Sequence, residues 1–355
     1  MTHILIFGGC GFIGSNLAVA LSKSGSKVTC FDNLSRRGSE ILLDRVLAHQ
    51  CEFIHGDIRN PEDIAKLQSI YDIVIDCSAE PSVLVGSQGE DARYMINNNL
   101  MGSVNCFEFC RKEKTPIIFL STSRIYPYDA INALNFREES TRFQYGDDDD
   151  VMGVSAQGVS AEFSLAGYRS LYGAAKLSSE YLLREYCQNF GIPAIINRCG
   201  VIAGPWQLGK VDQGVFTHWL ASHYFKKTLK YIGFGGKGKQ VRDLLHIDDL
   251  TSLLQKQIQV IDGYKGDIFN VGGSTISNLS LMEATGICEK ITGNSVEIRP
   301  VKDDRPADVL WYITDNGETL SEFGWQPQKS AREILQDIYK WLAANEALFV
   351  NLMGK

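Results

Sequence analysis

No two cysteines stand in a CxxC spacing anywhere in the 355 residues, and the nine cysteines, at positions 10, 30, 51, 77, 106, 110, 187, 199 and 288, are odd in number and fall mostly in apolar runs. The pattern fits buried thiols in a reduced cytoplasm better than a disulfide framework. Long hydrophobic runs are missing as well, none reaching the roughly 18 residues that a spanning helix needs. The opening MTHILIFGG has no basic segment ahead of its apolar residues. Neither a secretion leader nor a membrane anchor is expected. Excess positive charge is absent too. At a net charge of -7 there is no chain-wide basic footprint, so nucleic acid and anionic membranes are not expected partners, and an anionic substrate would need local arginine or lysine. The run Asp147 to Asp150 lacks the glycine and glutamate spacing of a calcium loop; it reads as a solvated loop, and no metal is expected.

What is present is enough apolar material for a large core, 44% hydrophobic against 22% charged residues, in a chain long enough for two domains. Short β-rich runs alternate with helical stretches through the first two-thirds. The strand candidates are His3 to Phe7, Lys27 to Asp32, Glu52 to His55, Ile73 to Cys77, Pro116 to Thr122 and Ala194 to Cys199, with a brief return to strand at Ile268 to Val271. Helices are expected from Ser15 to Ser22, Asn97 to Lys112 and Tyr172 to Asn189. This order calls for an α/β fold with a doubly wound parallel sheet. After Gly204-Pro205 the texture changes. The expected division is 1–198 plus 234–274 for one domain and 199–233 plus 275–355 for a smaller, discontinuous α/β domain.

Gly8, Gly11 and Gly14, in GGCGFIG, follow the first strand and open the first helix. There glycine spacing has a mechanism: a tight turn, a close backbone approach to a pyrophosphate, and close packing that turns the helix N-terminus toward the anion. Asp32 stands eighteen residues after Gly14 at the end of the next strand. Its carboxylate suits a ribose 2'-hydroxyl and repels a 2'-phosphate, which favours NAD; Arg36 and Arg37 pull toward NADP. Asp57, in HGD at the end of the third strand, suits either an adenine amine or an ordinary turn. Together these mark a Rossmann-type dinucleotide site.

Tyr172 and Lys176 are four residues apart, which on a helix places both on one face. A tyrosine with a pKa near 10 acts as a base at neutral pH only if its phenolate is favoured by about 4 kcal/mol, and a neighbouring ammonium is the natural source. A hydroxyl at the end of the Pro116 to Thr122 strand would join them at the carboxyl edge of the sheet, where open α/β sheets bind ligands. Ser121, Thr122 and Ser123 all have the chemistry.

These residues resemble the extended short-chain dehydrogenases that epimerise and dehydrate nucleotide sugars, from GGCGFIG through FDNLSRRG, HGDIRN, STSRIY, YGAAK, GPWQ, VRDLLHIDD, FNVGG and RPAD to FGWQP. GGCGFIGSNL, FDNLSRRG, the DQG at 212–214, GKQVRDLLH and EEST are most similar to the CDP-tyvelose (CDP-paratose) 2-epimerases. The resemblance implies a catalytic set of Thr122, Tyr172 and Lys176, with Ser123 second in line to Thr122. It implies NAD contacts at Gly8, Gly11, Phe12, Ile13, Gly14, Asp32, Asn33, Ser35, Arg36, Asp57, Ile58 and Asn99, the last supporting the proton relay, and with Tyr172 and Lys176 at the nicotinamide end. Implied substrate contacts are Thr122, Ser123, Arg124, Gln207 and Gln213, with Arg242 and Arg305 on a diphosphate. It further implies a homodimer or homotetramer, and a CDP-sugar from surface polysaccharide synthesis as the favoured substrate.

Departures from the family pattern narrow the chemistry. Sugar 4,6-dehydratases carry an Asp-Glu pair after the threonine where this chain has Ser123-Arg124, so dehydration is disfavoured. Three residues after Arg198 stands Val201 rather than the asparagine usual in 4-epimerases and dehydratases, which argues against a standard 4-epimerase. Pro127 replaces a common glycine, and Asp76-Cys-Ser-Ala replaces the usual HxAA. The expected reaction is NAD-dependent epimerisation through a transient keto sugar. A 4-epimerase or keto-reductase is the alternative, and a silent NAD-sensing protein is a remote one that the intact triad disfavours.

Overall fold

Seven of the short apolar runs pair into one sheet. The computed structural model describes residues 1–67, 70–86, 91–146, 150–208 and 214–348. In it the strands lie in the order Lys265–Val271, Ala194–Cys199, Ile117–Thr122, Ile73–Asp76, His3–Phe7, Lys27–Asp32 and Glu52–His55. The sheet is parallel and flanked by helices, as expected. Residues Ile4 to Phe7 and Val74 to Asp76 are wholly buried, because a parallel strand covered on both faces has no solvent side. From His3–Phe7 the chain winds outward through Lys27–Asp32 to Glu52–His55, then returns to Ile73–Asp76 on the other side. The strand order thus reverses between His3–Phe7 and Ile73–Asp76, and a ligand crevice is expected at the carboxyl ends of those two strands.

The chain divides into two compact units, Met1–Ile125 with Leu171–Arg198 and Thr251–Phe269, and Tyr126–Ser170 with Cys199–Leu250 and Asn270–Lys355. In the first unit Phe7, Phe31, Phe107, Phe119, Leu183 and Ile196 form the core. Its helices include Phe12–Lys23, Gly102–Glu113 and Leu171–Phe190. The expected helix from Asn97 to Lys112 begins earlier, at Ala92, and carries one π-helical stretch, Asn97–Met101. In the second unit Val241–His246 pairs with Val201–Ala203, Asn278–Ser280 and Trp311–Tyr312. Trp219, Leu220, Leu244, Ile334, Leu335 and Ile338 pack there.

This division differs from the one expected at 126–170, 234–250 and 270–274, all of which pack into the second unit. The reason is pairing. Val241–His246 finds its partners in short strands of that unit, and Phe136 and Tyr145 set their rings against Trp311, at 6.2 and 5.6 Å between centroids.

None of the nine cysteines is in a disulfide, and all but Cys77 are buried. No helix among the described residues is long and apolar enough to cross a membrane, and no group of three His, Cys, Asp or Glu among them is placed to hold a metal ion. Gln213 and residues 147–149 of the aspartate run lie outside the described residues.

Candidate active site

The glycine loop is built from backbone contacts that leave no room for side chains. Gly8 has φ +72° and its carbonyl accepts from the Gly11 N–H at 3.0 Å. A Cβ on Gly14 would lie 2.2 Å from that carbonyl oxygen. Gly11 caps the helix Phe12–Lys23 without a side-chain hydrogen bond, so the first-turn N–H groups, including those of Phe12 and Ile13, remain for an anion. The loop has the close-approach geometry that a dinucleotide pyrophosphate needs.

Asp32 ends the second strand with each oxygen already holding one backbone donor, Cys10 N–H at 3.0 Å and Leu34 N–H at 2.8 Å. Burial pushes its pKa up while those N–H groups draw it down, with a net rise. Each oxygen keeps a lone pair, which fits it to a ribose diol. Asn33 donates to Asp57 at 3.0 Å and receives the Ser35 N–H at 3.0 Å. Asp57 also receives the Arg59 guanidinium, at 2.5 Å from Nη2. Burial opposes the Asp57 carboxylate, but Arg59 and Asn33 outweigh it and hold the pKa at about 2. An adenine amine would join this cluster rather than meet a bare carboxylate. Ile58 packs beside Gly102, where an added Cβ would come within 2.5 Å of it. Arg36 is half-buried and Arg37 exposed.

Tyr172 and Lys176 stand one turn apart on the helix Leu171–Phe190, 9% and 1% exposed. The Lys176 ammonium donates to the Ser78 carbonyl at 3.3 Å and lies 4.4 Å from the Phe119 ring centroid. Of the three candidate hydroxyls, Ser121 is committed elsewhere: it donates to Glu180 at 2.5 Å, and Glu180 is itself paired with Arg198. Thr122, next along the strand, accepts the Arg124 N–H at 3.2 Å, and Ser123 begins a 3-10 turn to Ile125. Alternation along the strand separates Ser121 from Thr122.

Asn99 is buried and holds the loop that follows the fourth strand. Its side chain accepts from the Glu80 N–H at 2.8 Å and donates to the Glu80 carbonyl at 2.9 Å. It lies in the π-helical stretch, and its own carbonyl receives both the Ser103 and the Ser179 hydroxyls, at 2.9 and 3.2 Å. The first unit therefore brings the glycine loop, Asp32, Asn33, Asp57, Asn99, Thr122, Tyr172 and Lys176 into one body.

In the second unit Gln207 donates to the Ile202 carbonyl at 2.9 Å and accepts from Thr217 at 2.7 Å. Arg242 pairs with Asp308 at 2.5 Å and also reaches the Val309 carbonyl. Arg305 is half-buried, and its charge, after burial and Lys227, helps to lower the pKa of His218.

The family model for NAD dependent epimerases and dehydratases matches residues 4–272. The chain belongs to the NAD dependent epimerase/dehydratase family. Its members are enzymes, and NAD is their cofactor. The CDP-paratose 2-epimerase of Salmonella typhi is 28% identical over 96% of this chain and 99% of its own. The dTDP-glucose 4,6-dehydratase of Salmonella typhimurium is 28% identical over 96% of this chain and 93% of its own. Among solved structures, the UDP-glucuronic acid 4-epimerase of Bacillus cereus with UDP-glucuronic acid and NAD matches with a TM-score of 0.77 at 26% identity, over 97% of this chain and 99% of that one.

As an epimerase/dehydratase family member, the chain carries residues around this site that its sequence did not single out. Arg59 follows Asp57 by two positions and neutralises it; the RN of HGDIRN was the available signal. Glu180 stands one turn beyond Lys176 on the same helix, so the four-residue spacing could have been extended to it. Ser78 offers only a backbone carbonyl to Lys176, for which side-chain identity gives no signal.

Proposed function

We propose that the protein epimerises a nucleotide-diphosphate sugar, at C2 of a CDP-linked sugar. The observation that carries this reading is the pairing of Tyr172 with the buried Lys176 one helical turn away, in the same unit as Thr122, Asp32 and the glycine loop. Tyr172 takes the proton of a sugar hydroxyl while Thr122 hydrogen-bonds that hydroxyl and relays. Lys176 favours the Tyr172 phenolate and binds the nicotinamide ribose. Bound NAD supplies a reversible hydride acceptor. The keto sugar turns over about its diphosphate linkage, Tyr172 returns the proton, and the carbon is inverted with no net redox change.

Three observations support the finer assignment. The relationship to the CDP-paratose 2-epimerase of Salmonella typhi runs the length of both chains. Ser123 and Arg124 stand where a dehydratase would hold its acid pair. Val201 replaces the asparagine expected of a 4-epimerase. A 4-epimerase is the second reading, favoured by the likeness to the Bacillus cereus enzyme. In the proposed arrangement the first unit holds NAD through the glycine loop, Asp32, Asn33, Ser35, Arg36, Asp57 and Ile58. The nucleotide sugar is held through Gln207, Arg242 and Arg305. The enzyme works as a dimer or tetramer built on the helices near 97–112 and 172–189, in a reducing compartment that suits nine cysteines outside any disulfide.

The test is proton NMR with CDP-tyvelose in deuterated buffer, beside Tyr172→Phe. A C2 epimer that retains protium at C2 and fails to form with Tyr172→Phe supports the reading. Inversion at C4 of a UDP-sugar, with CDP-tyvelose untouched, would replace it by the 4-epimerase.

A further inference from the structure

Asp76 ends the fourth strand at the topological reversal of the sheet, with no solvent exposure. One carboxylate oxygen, Oδ1, receives both the backbone N–H of Ser78 at 2.9 Å and its hydroxyl at 2.5 Å. The other, Oδ2, is buried with no hydrogen-bond partner among the described residues. An unfilled buried carboxylate oxygen is costly, and such groups are retained where they serve a site. Packing alone does not call for a carboxylate here.

The turn that Asp76 closes has two neighbours. On one side the Ser78 backbone lies against the glycine loop: a Cβ on Gly8 would come within 2.9 Å of Ser78 Cα and N. The Cys77 N–H, donating to the Phe7 carbonyl at 3.0 Å, ties the start of the turn to the strand that leads into that loop. On the other side the Ser78 carbonyl accepts the Lys176 ammonium at 3.3 Å. Ser78 is thus wedged between the first glycine of the loop and the lysine, and its orientation is set by Asp76.

We propose that Asp76 is a positioning residue: by gripping both donors of Ser78 it aims the Ser78 carbonyl at Lys176, and so fixes where the ammonium stands relative to Tyr172. Asp76 touches neither sugar nor nicotinamide in this role. It rests on the reading of Tyr172 and Lys176 as the proton-transfer pair. Without the grip the carbonyl is free to turn, the ammonium loses its fixed acceptor, and the Tyr172 phenolate loses part of its electrostatic support.

The test is a pH titration of phenolate absorbance on the NAD-loaded protein, each variant minus its Tyr172→Phe counterpart, so that one tyrosine is read. Asp76→Ala is expected to raise the Tyr172 midpoint by about one pH unit, a tenfold smaller phenolate fraction below the midpoint. Ser78→Ala, which keeps the backbone donor, moves it less in the same direction. Asp76→Asn retains the Oδ1 acceptor and recovers most of the shift. An unchanged midpoint in Asp76→Ala overturns the proposal, as does an Asp76→Asn midpoint no lower than that of alanine. If Asp76→Ala does not fold, an unchanged midpoint in Ser78→Ala overturns it. The titration needs no sugar, so it can fail while epimerisation is observed, and succeed where no sugar is turned over.

Discussion

Arg198 and Glu180 form an ion pair inside the protein, 2.8 Å apart, with side chains 4% and 1% exposed. The Ser121 hydroxyl completes the cluster at 2.5 Å from Glu180, so two sheet strands are joined to the helix that carries Tyr172 and Lys176. A buried pair contributes little over an apolar replacement, yet removing one partner leaves a stranded charge. Glu180→Ala should therefore destabilise the protein by about 3–5 kcal/mol, read from denaturant midpoints. The double variant Glu180→Leu with Arg198→Met should lose clearly less. Equal losses would mean that the cluster is not an energetic unit.

Asp32 bears on cofactor choice. Hydrogen bonds to a charged acceptor are worth about 1.5–3 kcal/mol, so Asp32→Ala should weaken NAD roughly ten- to hundredfold. It should also narrow the preference over NADP, because the repulsion of a 2'-phosphate disappears. Calorimetric titration of cofactor-stripped protein measures both. Unchanged NAD affinity would remove Asp32 from the site.

Asp243 gives a pH signature. It is fully buried in the second unit, and burial raises its pKa to about 6 although the Ser274 and Thr314 backbone N–H groups oppose the rise. A carboxyl whose folded pKa lies above its unfolded value, about 3.9, stabilises the fold least where it must ionise. Its favourable contribution is complete below the unfolded pKa and is lost as pH rises through about 6. Asp243→Asn keeps an acceptor for both N–H groups and has nothing to ionise. Its stability relative to wild type should climb between about pH 4 and 6 and then level off, by an amount on the order of 3 kcal/mol. A difference that stays flat with pH would show that Asp243 does not titrate there.

The proposed dimer makes use of apolar residues that the chain leaves open. Tyr94, Ile96 and Met101 are 41%, 39% and 47% exposed, and Tyr181 and Leu182 on the tyrosine helix are 53% and 38%. Light scattering should find wild type at twice the chain mass or more, and Tyr181→Glu with Leu182→Lys at the mass of one chain. A wild-type monomer ends that proposal.

Much of this architecture was legible before any coordinates. His3–Phe7, Lys27–Asp32 and Ala194–Cys199 fall at the expected residues, since strands covered on both faces are continuous apolar runs ended by Gly, Asp or Arg. The four-residue step from Tyr172 to Lys176 needed only helical geometry. Other features depend on partners distant in sequence. Val241–His246 carries Arg242 and Asp243 within it, and a fully buried Asp243 looks like a surface residue until its backbone donors, Ser274 and Thr314, are known. The choice between Ser121 and Thr122 is a one-residue shift that exchanges the faces of a strand. What distinguishes the two here is Glu180, far along the chain, which takes the Ser121 hydroxyl. Residues 126–170 join the second unit through contacts such as those of Phe136 and Tyr145 with Trp311, which leave no periodic trace in the sequence.

The widened turn at Asn97–Met101 makes this protein sensitive to chain length as well as to side-chain identity. The expanded winding frees the Asn99 carbonyl to take a hydroxyl from a second helix, that of Ser179. Deleting one residue there would close the wide turn into ordinary winding, with the flanking turns still in phase, and return the Asn99 carbonyl to a backbone N–H one turn on. The Ser179 hydroxyl would lose that acceptor. Insertions and deletions, as well as substitution of Asn99, are the changes that this helix must be guarded against.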